Sequence, residues 1–126
     1  MGNGTSIGRV RGLGSAKTGA HHWLVQRWTA VGNLLLVAFL AVSLLLLPGF
    51  GYQSIRGWIS SPLPATAVAL LIVSTFWHAR LGLQVFIEDY LQDANRLAAL
   101  IALNLITFAG AAFGLLSIVR LALGGA

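Results

Sequence analysis

The stretch WHARLGLQVFIEDYLQ, residues 77–92, contains the features that decide how this chain folds. It continues a run apolar enough for lipid, yet it carries His78 and Arg80 and ends in an acidic pair followed by Tyr90. An ionisable side chain inside a bilayer is costly and usually marks a functional site or a paired structural position. His78 and Arg80 therefore each need either a partner or a function.

The overall composition is that of an integral membrane protein. Of the 126 residues, 57% are hydrophobic and 9% are charged, whereas roughly a quarter of residues are charged in soluble domains. The formal net charge is +5, but half of the basic residues precede the first apolar run, so membrane topology explains them better than nucleic-acid binding does. The chain has no cysteine, which excludes disulfides and an iron–sulfur cluster held by this chain.

Three apolar segments approach or exceed the roughly 20 residues that a helix needs to cross a hydrocarbon core. In lipid each must be helical, because no water is available to satisfy free backbone amides. Pro48 should end the first helix, while Pro62 and Pro64 should begin the second. We predict an all-α membrane protein with a single anchor domain: an arm over residues 1–30 that is irregular or held by a partner, then transmembrane helices over about residues 31–47, 66–87 and 97–121.

The distribution of basic residues predicts the orientation. The N-terminal arm carries four Lys or Arg residues, whereas the first loop carries only Arg56 and the C-terminal end only Arg120. Because Lys and Arg are enriched on the cytoplasmic side, the N-terminus should be cytoplasmic and the C-terminus periplasmic. No obvious transit peptide is present, which favours a bacterial inner (cytoplasmic) membrane.

His78 has the position expected of a haem ligand. At about 100° per residue, His78, Gly82, Val85 and Asp89 share one face of the second helix. Gly82, one turn away, removes side-chain bulk where a flat macrocycle bound through an imidazole would need space, and neutral imidazole is a common donor to haem iron. The alternative is a neutral histidine whose hydrogen bonds are satisfied by a neighbouring helix.

A second histidine ligand is not expected from this chain. His21 and His22 precede the first predicted helix at the cytoplasmic face, whereas His78 lies about 18 Å along its helix from Tyr90 at the same face. That separation is too large for one porphyrin iron. If the iron has two histidine ligands, we expect another subunit to supply the second.

Asp89 and Tyr90 form a second polar group at the cytoplasmic end of the same helix. A phenol can donate a hydrogen bond to a carbonyl while its ring stays in an apolar slot, and the adjacent carboxylate can orient it or relay protons. A lipid-soluble quinone would meet a soluble electron donor at this rim. The alternative is an interfacial tyrosine beside ordinary helix-end acids.

Two further features concern packing between helices. Arg80 lies too deep to reach the interface easily, and either a carboxylate of a partner subunit or Glu88 is a possible partner. Gly110-Ala-Ala-Phe-Gly114 is a small-xxx-small pattern that lets two helices approach closely, inside the chain or against another subunit.

The spacing of these residues resembles the hydrophobic membrane anchor (D) subunits of succinate dehydrogenase. In that family a histidine with a nearby glycine is followed eleven and twelve residues later by Asp-Tyr, as His78, Gly82, Asp89 and Tyr90 are here. The segment GLGSAKTGAHHWLVQRWTA, residues 12–30, also resembles the N-terminal segment of the family, including its Arg-x-Thr-Ala. The companion C subunit fits less well, because its Ser-x-x-x-Arg segment and paired His-Arg motif are absent.

The resemblance implies a complex in which a flavoprotein oxidises succinate, an iron–sulfur subunit passes electrons on, and two membrane anchors bind haem b and ubiquinone. His78 would be one axial ligand within a two-subunit haem-binding helical bundle, and the companion cytochrome b anchor (C subunit) would supply the other. Tyr90 would bind a quinone carbonyl with support from Asp89. Arg27 matches a family arginine near the haem propionates, although a plain cytoplasmic anchor residue is the alternative.

Two other functions are compatible with the same residues. One is the anchor of a quinol:fumarate reductase, a related complex that runs the reaction in the other direction. The other is a structural membrane anchor without a cofactor, in which His78 and Arg80 only pair with other helices.

Overall fold

The computed structural model describes residues 18–124 and confirms the all-α expectation. Three of its helices, of 27, 29 and 30 residues, are long and apolar enough to cross a membrane. At about 1.5 Å per residue each is longer than a hydrocarbon core of about 30 Å, so their ends extend beyond the apolar layer. The helices of the described part of the chain are α1 (Gly19–Leu45), α2 (Tyr52–Ser60), α3 (Pro62–Tyr90) and α4 (Asp93–Ala122).

Helix α3 is the centre of the fold. It packs along α1 on one side and along α4 on the other, whereas α1 and α4 do not contact each other within residues 18–124. Only Leu91 and Gln92 separate α3 from α4, so the two helices are antiparallel neighbours. Asp93 begins α4 with a φ of 50°, a left-handed conformation that aspartate adopts more readily than most residues.

The first loop begins and ends where the prolines indicated. Helix α1 ends at Leu45, three residues before Pro48, and Pro62 is the first residue of α3. Proline suits the first turn of a helix because the amide hydrogen it lacks would have no partner there. Both α3 and α4 begin about four residues earlier than their predicted apolar spans.

The predicted irregular arm is wrong for residues 19–30, which form the beginning of α1. This segment has no sustained apolar run in the sequence, but its polar groups have partners in the helix and on α3. The Thr29 hydroxyl lies 2.9 Å from the Val25 carbonyl oxygen in the preceding turn, and Gln26 and Thr29 both face α3. Hydropathy does not detect a helix that is stabilised in this way. Residues 1–17 of the arm lie outside the described residues.

The short helix α2 occupies the first loop and was not predicted. Its Ile59 is buried, and the Trp58 indole N–H donates a hydrogen bond to the Ser43 hydroxyl on α1. The helix also packs on α3 and α4. Ile55, Trp58 and Ile59 have the i, i+3, i+4 spacing of one helix face, which was the available sequence signal.

The small-xxx-small pattern of α4 packs inside the chain, against α3. A Cβ atom added at Gly110 would lie 2.5 Å from Phe76 Cε1, and one added at Gly114 would lie 3.0 Å from Ile72 Cγ2. The two glycines therefore allow α4 to approach two large side chains of α3 more closely than alanine would. This contact and the short α3–α4 connection fix the two helices as a pair.

Arg80 also joins α3 to α4, and its partner is neutral. Its Nε donates to Asn104 Oδ1 at 2.6 Å, and its guanidinium carbon lies 5.4 Å from the centre of the Trp77 ring. Glu88, one of the two partners considered from the sequence, instead accepts a hydrogen bond from Gln84 at 2.9 Å. The guanidinium is thus stabilised by an amide and an aromatic ring.

Few side chains of the described chain are buried, although the helices are strongly apolar. Large side chains such as Leu34 on α1 and Ile106 on α4 remain exposed, as expected where lipid or other membrane subunits cover the helices. The buried residues among 18–124 are Leu40, Ile59, Pro64, Ala67, Leu81 and Thr107.

Replacing Gly110 by valine should weaken the α3–α4 pair. The added side chain would overlap the Phe76 ring, and overpacking of this kind costs about 1–3 kcal/mol. We expect a lower midpoint of thermal unfolding for protein purified in detergent. Ala112→Val, between the two glycines but on the exposed side of α4, is the control, and equal midpoints for the two variants would contradict the packing assigned to Gly110.

Asn104→Leu should destabilise the same pair for an electrostatic reason. It removes the acceptor of Arg80 Nε and leaves a cation without this partner in the membrane, with an expected loss of about 1 kcal/mol or more. Asn33→Leu is the matched control, because Asn33 Oδ1 is buried without a hydrogen-bond partner within residues 18–124. Thermal unfolding in detergent should separate the two variants; a larger loss for Asn33→Leu would count against the Arg80–Asn104 contact.

Candidate functional site

His78 lies at the interface between α3 and α1, where it is half-buried. Its Nδ1 is 3.0 Å from Thr29 Oγ1 and 3.2 Å from the Gln26 carbonyl oxygen. The middle of α3 is therefore level with the third turn of α1. One ring nitrogen of His78 is held by α1 within the chain.

The same contacts indicate which nitrogen of His78 carries the proton. The Gln26 carbonyl can only accept a hydrogen bond, so a proton on Nδ1 gives a favourable contact where two lone pairs would otherwise face each other. The Thr29 hydroxyl can donate to the Val25 carbonyl at 2.9 Å and at the same time accept from Nδ1. This arrangement leaves Nε2 with its lone pair, and Nε2 has no hydrogen-bond partner in the described part of the chain.

A cleft of about 300 Å³ opens beside His78 on the same side of α1 and α3. Both apolar and polar side chains line it, because α1 contributes residues from two successive helix turns. His78 and Arg27 thus line the same concave surface. The lining residues are Trp23, Gln26, Arg27, Ala30 and His78.

Arg27 is exposed, and its guanidinium carbon lies 4.1 Å from the centre of the Trp23 ring. This distance is within the range of a cation–π interaction. Stacking on the ring orients the planar guanidinium while its N–H groups remain able to bind an anion. Arg27 and His78 therefore line the same cleft, and the propionate-binding role of Arg27 stays a prediction.

Gly82 lies on the His78 side of α3, at the contact with α1. A Cβ atom added there would lie 3.7 Å from Gln26 Nε2, which is an ordinary van der Waals distance. Gly82 is not among the residues that line the cleft. Its predicted role in leaving space for a macrocycle stays a prediction.

His21 and His22 lie closer to the level of His78 than the sequence predicted. Because α1 begins at Gly19 and packs with Gln26 level with His78, His22 lies only one turn, about 6 Å, along α1 from that level. The sequence estimate of about 18 Å assumed that both histidines lay at the level of Tyr90. Neither histidine lines the cleft, however, and His22 Nε2 is buried without a hydrogen-bond partner within residues 18–124.

Asp89 and Tyr90 form a separate group at the end of α3. The Tyr90 ring stacks on Phe86, with centroids 4.7 Å apart and an interplanar angle of 29°, and the side chain is 72% exposed. Asp89 is exposed as well, and the described residues include no hydrogen bond between the two side chains. Twelve residues of helix, about 18 Å, separate Tyr90 from His78, so the two groups are distinct sites.

Gln26 and Thr29 are the site residues that the sequence reasoning missed. Thr29 belongs to the Arg-x-Thr-Ala segment, but only the arginine of that segment was given a role. Their importance comes from the contact between α1 and α3, which depends on how two helices far apart in sequence align. The available local signal was that Gln26 and Thr29 lie one and two residues from Arg27 in the sequence.

The arrangement can bind a group that combines a metal with anionic substituents. A neutral imidazole with a free lone pair is a ligand for iron, and a nearby guanidinium binds carboxylates through charge-assisted hydrogen bonds. The described residues contain no cluster of three or more His, Asp or Glu that could hold a metal ion alone.

Comparison with known proteins identifies close relatives over most of the sequence. Residues 1–113 match the family described as succinate dehydrogenase/fumarate reductase transmembrane subunit. A succinate dehydrogenase hydrophobic membrane anchor subunit of Rickettsia bellii is 33% identical over 113 residues, which are 90% of this chain and 86% of the relative. Its counterpart in Paracoccus denitrificans is 27% identical over 115 residues, 91% of this chain and 89% of the relative. No solved structure matches the chain significantly.

Proposed function

The chain belongs to the family of succinate dehydrogenase/fumarate reductase transmembrane subunits, and on that basis we propose that it supplies one axial ligand of haem b and part of a ubiquinone site. As a membrane anchor it is a non-catalytic subunit of an enzyme complex. Succinate oxidation would take place in partner subunits. The curated relatives are named for succinate dehydrogenase, which favours succinate as donor and quinone as acceptor over the reverse direction.

The observation that carries the haem proposal is that only one of the two ring nitrogens of His78 has a hydrogen-bond partner within residues 18–124. Nδ1 is held by Thr29 and the Gln26 carbonyl, which leaves Nε2 with its lone pair, and His78 lines a cleft together with Arg27. The residues present thus fit a haem bound through one imidazole.

His78 would hold the iron, and Arg27 would bind the propionates through charge-assisted hydrogen bonds. Haem b, when bound, accepts and donates one electron at a time. The second axial ligand would come from the companion cytochrome b anchor, because neither His21 nor His22 lines the cleft. The haem would then lie between two chains and complete a shared helical bundle.

Tyr90 and Asp89 would form this chain's part of the quinone site. The exposed Tyr90 phenol can donate a hydrogen bond to a quinone carbonyl, and its ring is oriented by stacking on Phe86. The exposed Asp89 carboxylate would support proton supply to the reduced quinone. Since both side chains are open to the surroundings, neighbouring subunits would form the remaining walls of the site.

The partners implied are a flavoprotein, an iron–sulfur subunit and the companion anchor, and the two anchors would hold the complex on a bacterial inner membrane. The excess of Lys and Arg before the first helix favours a cytoplasmic N-terminus and a periplasmic C-terminus. This orientation places Tyr90 at the cytoplasmic rim. The iron–sulfur subunit could then deliver electrons from succinate to the quinone there.

His78→Ala should alter or remove the b-type haem band of the purified complex, because it removes the proposed iron ligand. The measurement is a reduced-minus-oxidised absorbance spectrum normalised to flavin. Thr75→Ala, one turn away on α3 at an exposed position, is the control and should keep the wild-type spectrum. An unchanged haem band in His78→Ala would contradict the assigned ligand.

Tyr90→Phe should slow quinone reduction by roughly 2- to 10-fold, the effect of losing one hydrogen bond of about 0.5–1.5 kcal/mol. Succinate oxidation with an artificial soluble acceptor should stay at the wild-type rate. Tyr52→Phe changes the other tyrosine of the chain, which is exposed on α2, and should leave both assays unchanged. Equal losses in both assays for Tyr90→Phe would argue against a quinone contact.

A further inference from the structure

Thr29 makes one contact that a threonine in an ordinary transmembrane helix would not need. Its hydroxyl oxygen lies 2.9 Å from the carbonyl oxygens of Val25 and Gln26 and 3.0 Å from His78 Nδ1. The first two contacts are the usual ones for a helical threonine, in which the hydroxyl donates to the preceding turn. The third crosses from α1 to α3 and reaches the residue proposed to bind iron.

We propose that Thr29 is a positioning residue that orients His78 and adjusts the redox potential of the haem, an inference that rests on the proposed function. Because the Thr29 hydroxyl hydrogen is donated within α1, its oxygen lone pair is directed to His78 Nδ1–H. That acceptor fixes the ring orientation and the tautomer with Nε2 unprotonated. Partners of this kind are what hold metal-bound histidines in place.

The Gln26 carbonyl alone is a weaker acceptor for the same hydrogen. It lies at 3.2 Å from Nδ1, compared with 3.0 Å for Thr29, and it also lies 2.9 Å from the Thr29 hydroxyl. Without Thr29 the imidazole would keep one long hydrogen bond and gain freedom to rotate. Removing the Thr29 hydroxyl should therefore weaken haem binding only in part. It should change the redox potential of the haem more readily than it prevents haem from binding.

The direction of the effect on the potential follows from the electronic role of the hydrogen bond. An acceptor at Nδ1–H increases electron donation from Nε2 to a metal. Stronger donation favours the more highly charged, oxidised iron, and so lowers the reduction potential. Removing the Thr29 hydroxyl should raise the potential.

The test uses three variants of the intact membrane complex. Thr29→Val removes the hydroxyl and keeps the branched shape, Thr29→Ser restores the hydroxyl, and Thr66→Val is the matched control. Thr66 also donates its hydroxyl hydrogen to the preceding turn, to the Pro62 carbonyl at 2.7 Å, but it is exposed and far from His78. The measurements are the haem midpoint potential by redox titration and the rate of haem transfer to excess apomyoglobin.

We expect Thr29→Val to raise the midpoint potential and to lose haem roughly tenfold faster, the low end of the effect of such partners on metal affinity. Thr29→Ser and Thr66→Val should both behave as wild type. If Thr29→Val does not assemble, Thr29→Ala replaces it in the comparison with Thr29→Ser.

Two outcomes would overturn the inference. One is a wild-type potential and haem-loss rate in the variant without the hydroxyl, and the other is an equal shift in Thr29→Ser, since the hydroxyl would then not be the cause. Failure of the proposed function itself is distinguishable. In that case His78→Ala would keep the wild-type haem spectrum, whereas failure of the Thr29 inference alone leaves the His78→Ala effect in place.

Discussion

The fold depends on satisfying polar side chains of α3 inside the bilayer. His78 and Arg80 are two residues apart and therefore project about 200° from each other around the helix. A neighbouring helix on one side only would leave one of them facing lipid. Helix α3 lies between α1 and α4, so that His78 meets Thr29 and Arg80 meets Asn104. The two polar residues at the start of WHARLGLQVFIEDYLQ thus explain why α3 is central.

The two contacts stabilise α3 in different ways, and only the contact of His78 leaves a nitrogen able to bind another group. Arg80 is joined to an amide and lies near an aromatic ring, which suits a permanent link between helices. His78 uses Nδ1 for the link, keeps Nε2 without a hydrogen bond within residues 18–124, and lines a cleft together with Arg27. The same histidine therefore serves both the helix packing and the proposed haem site. A substitution there would disturb both, which is why spectral and redox measurements are more informative than activity alone.

The sequence was sufficient for features that depend on local properties. Apolar length predicted three membrane helices, and Pro62 marked the entry to α3. It was insufficient where stability comes from contacts across the chain. The first turns of α1 have polar residues that pack on α3. Arg80 donates a hydrogen bond to Asn104 and not to Glu88, because α4 lies beside it. The level of His78 against α1 was likewise misjudged, since relative helix position is a property of packing.

The exposure of the two candidate sites links function to assembly. Buried groups need their partners within the chain, but Arg27 and Tyr90 are exposed and His78 keeps a nitrogen without a hydrogen bond among residues 18–124. An ionisable group inside the membrane is costly unless a partner completes its contacts. For this chain that requirement would be met by the other subunits and the cofactor. Folding of the anchor would therefore prepare half of each site, and association would supply the other half.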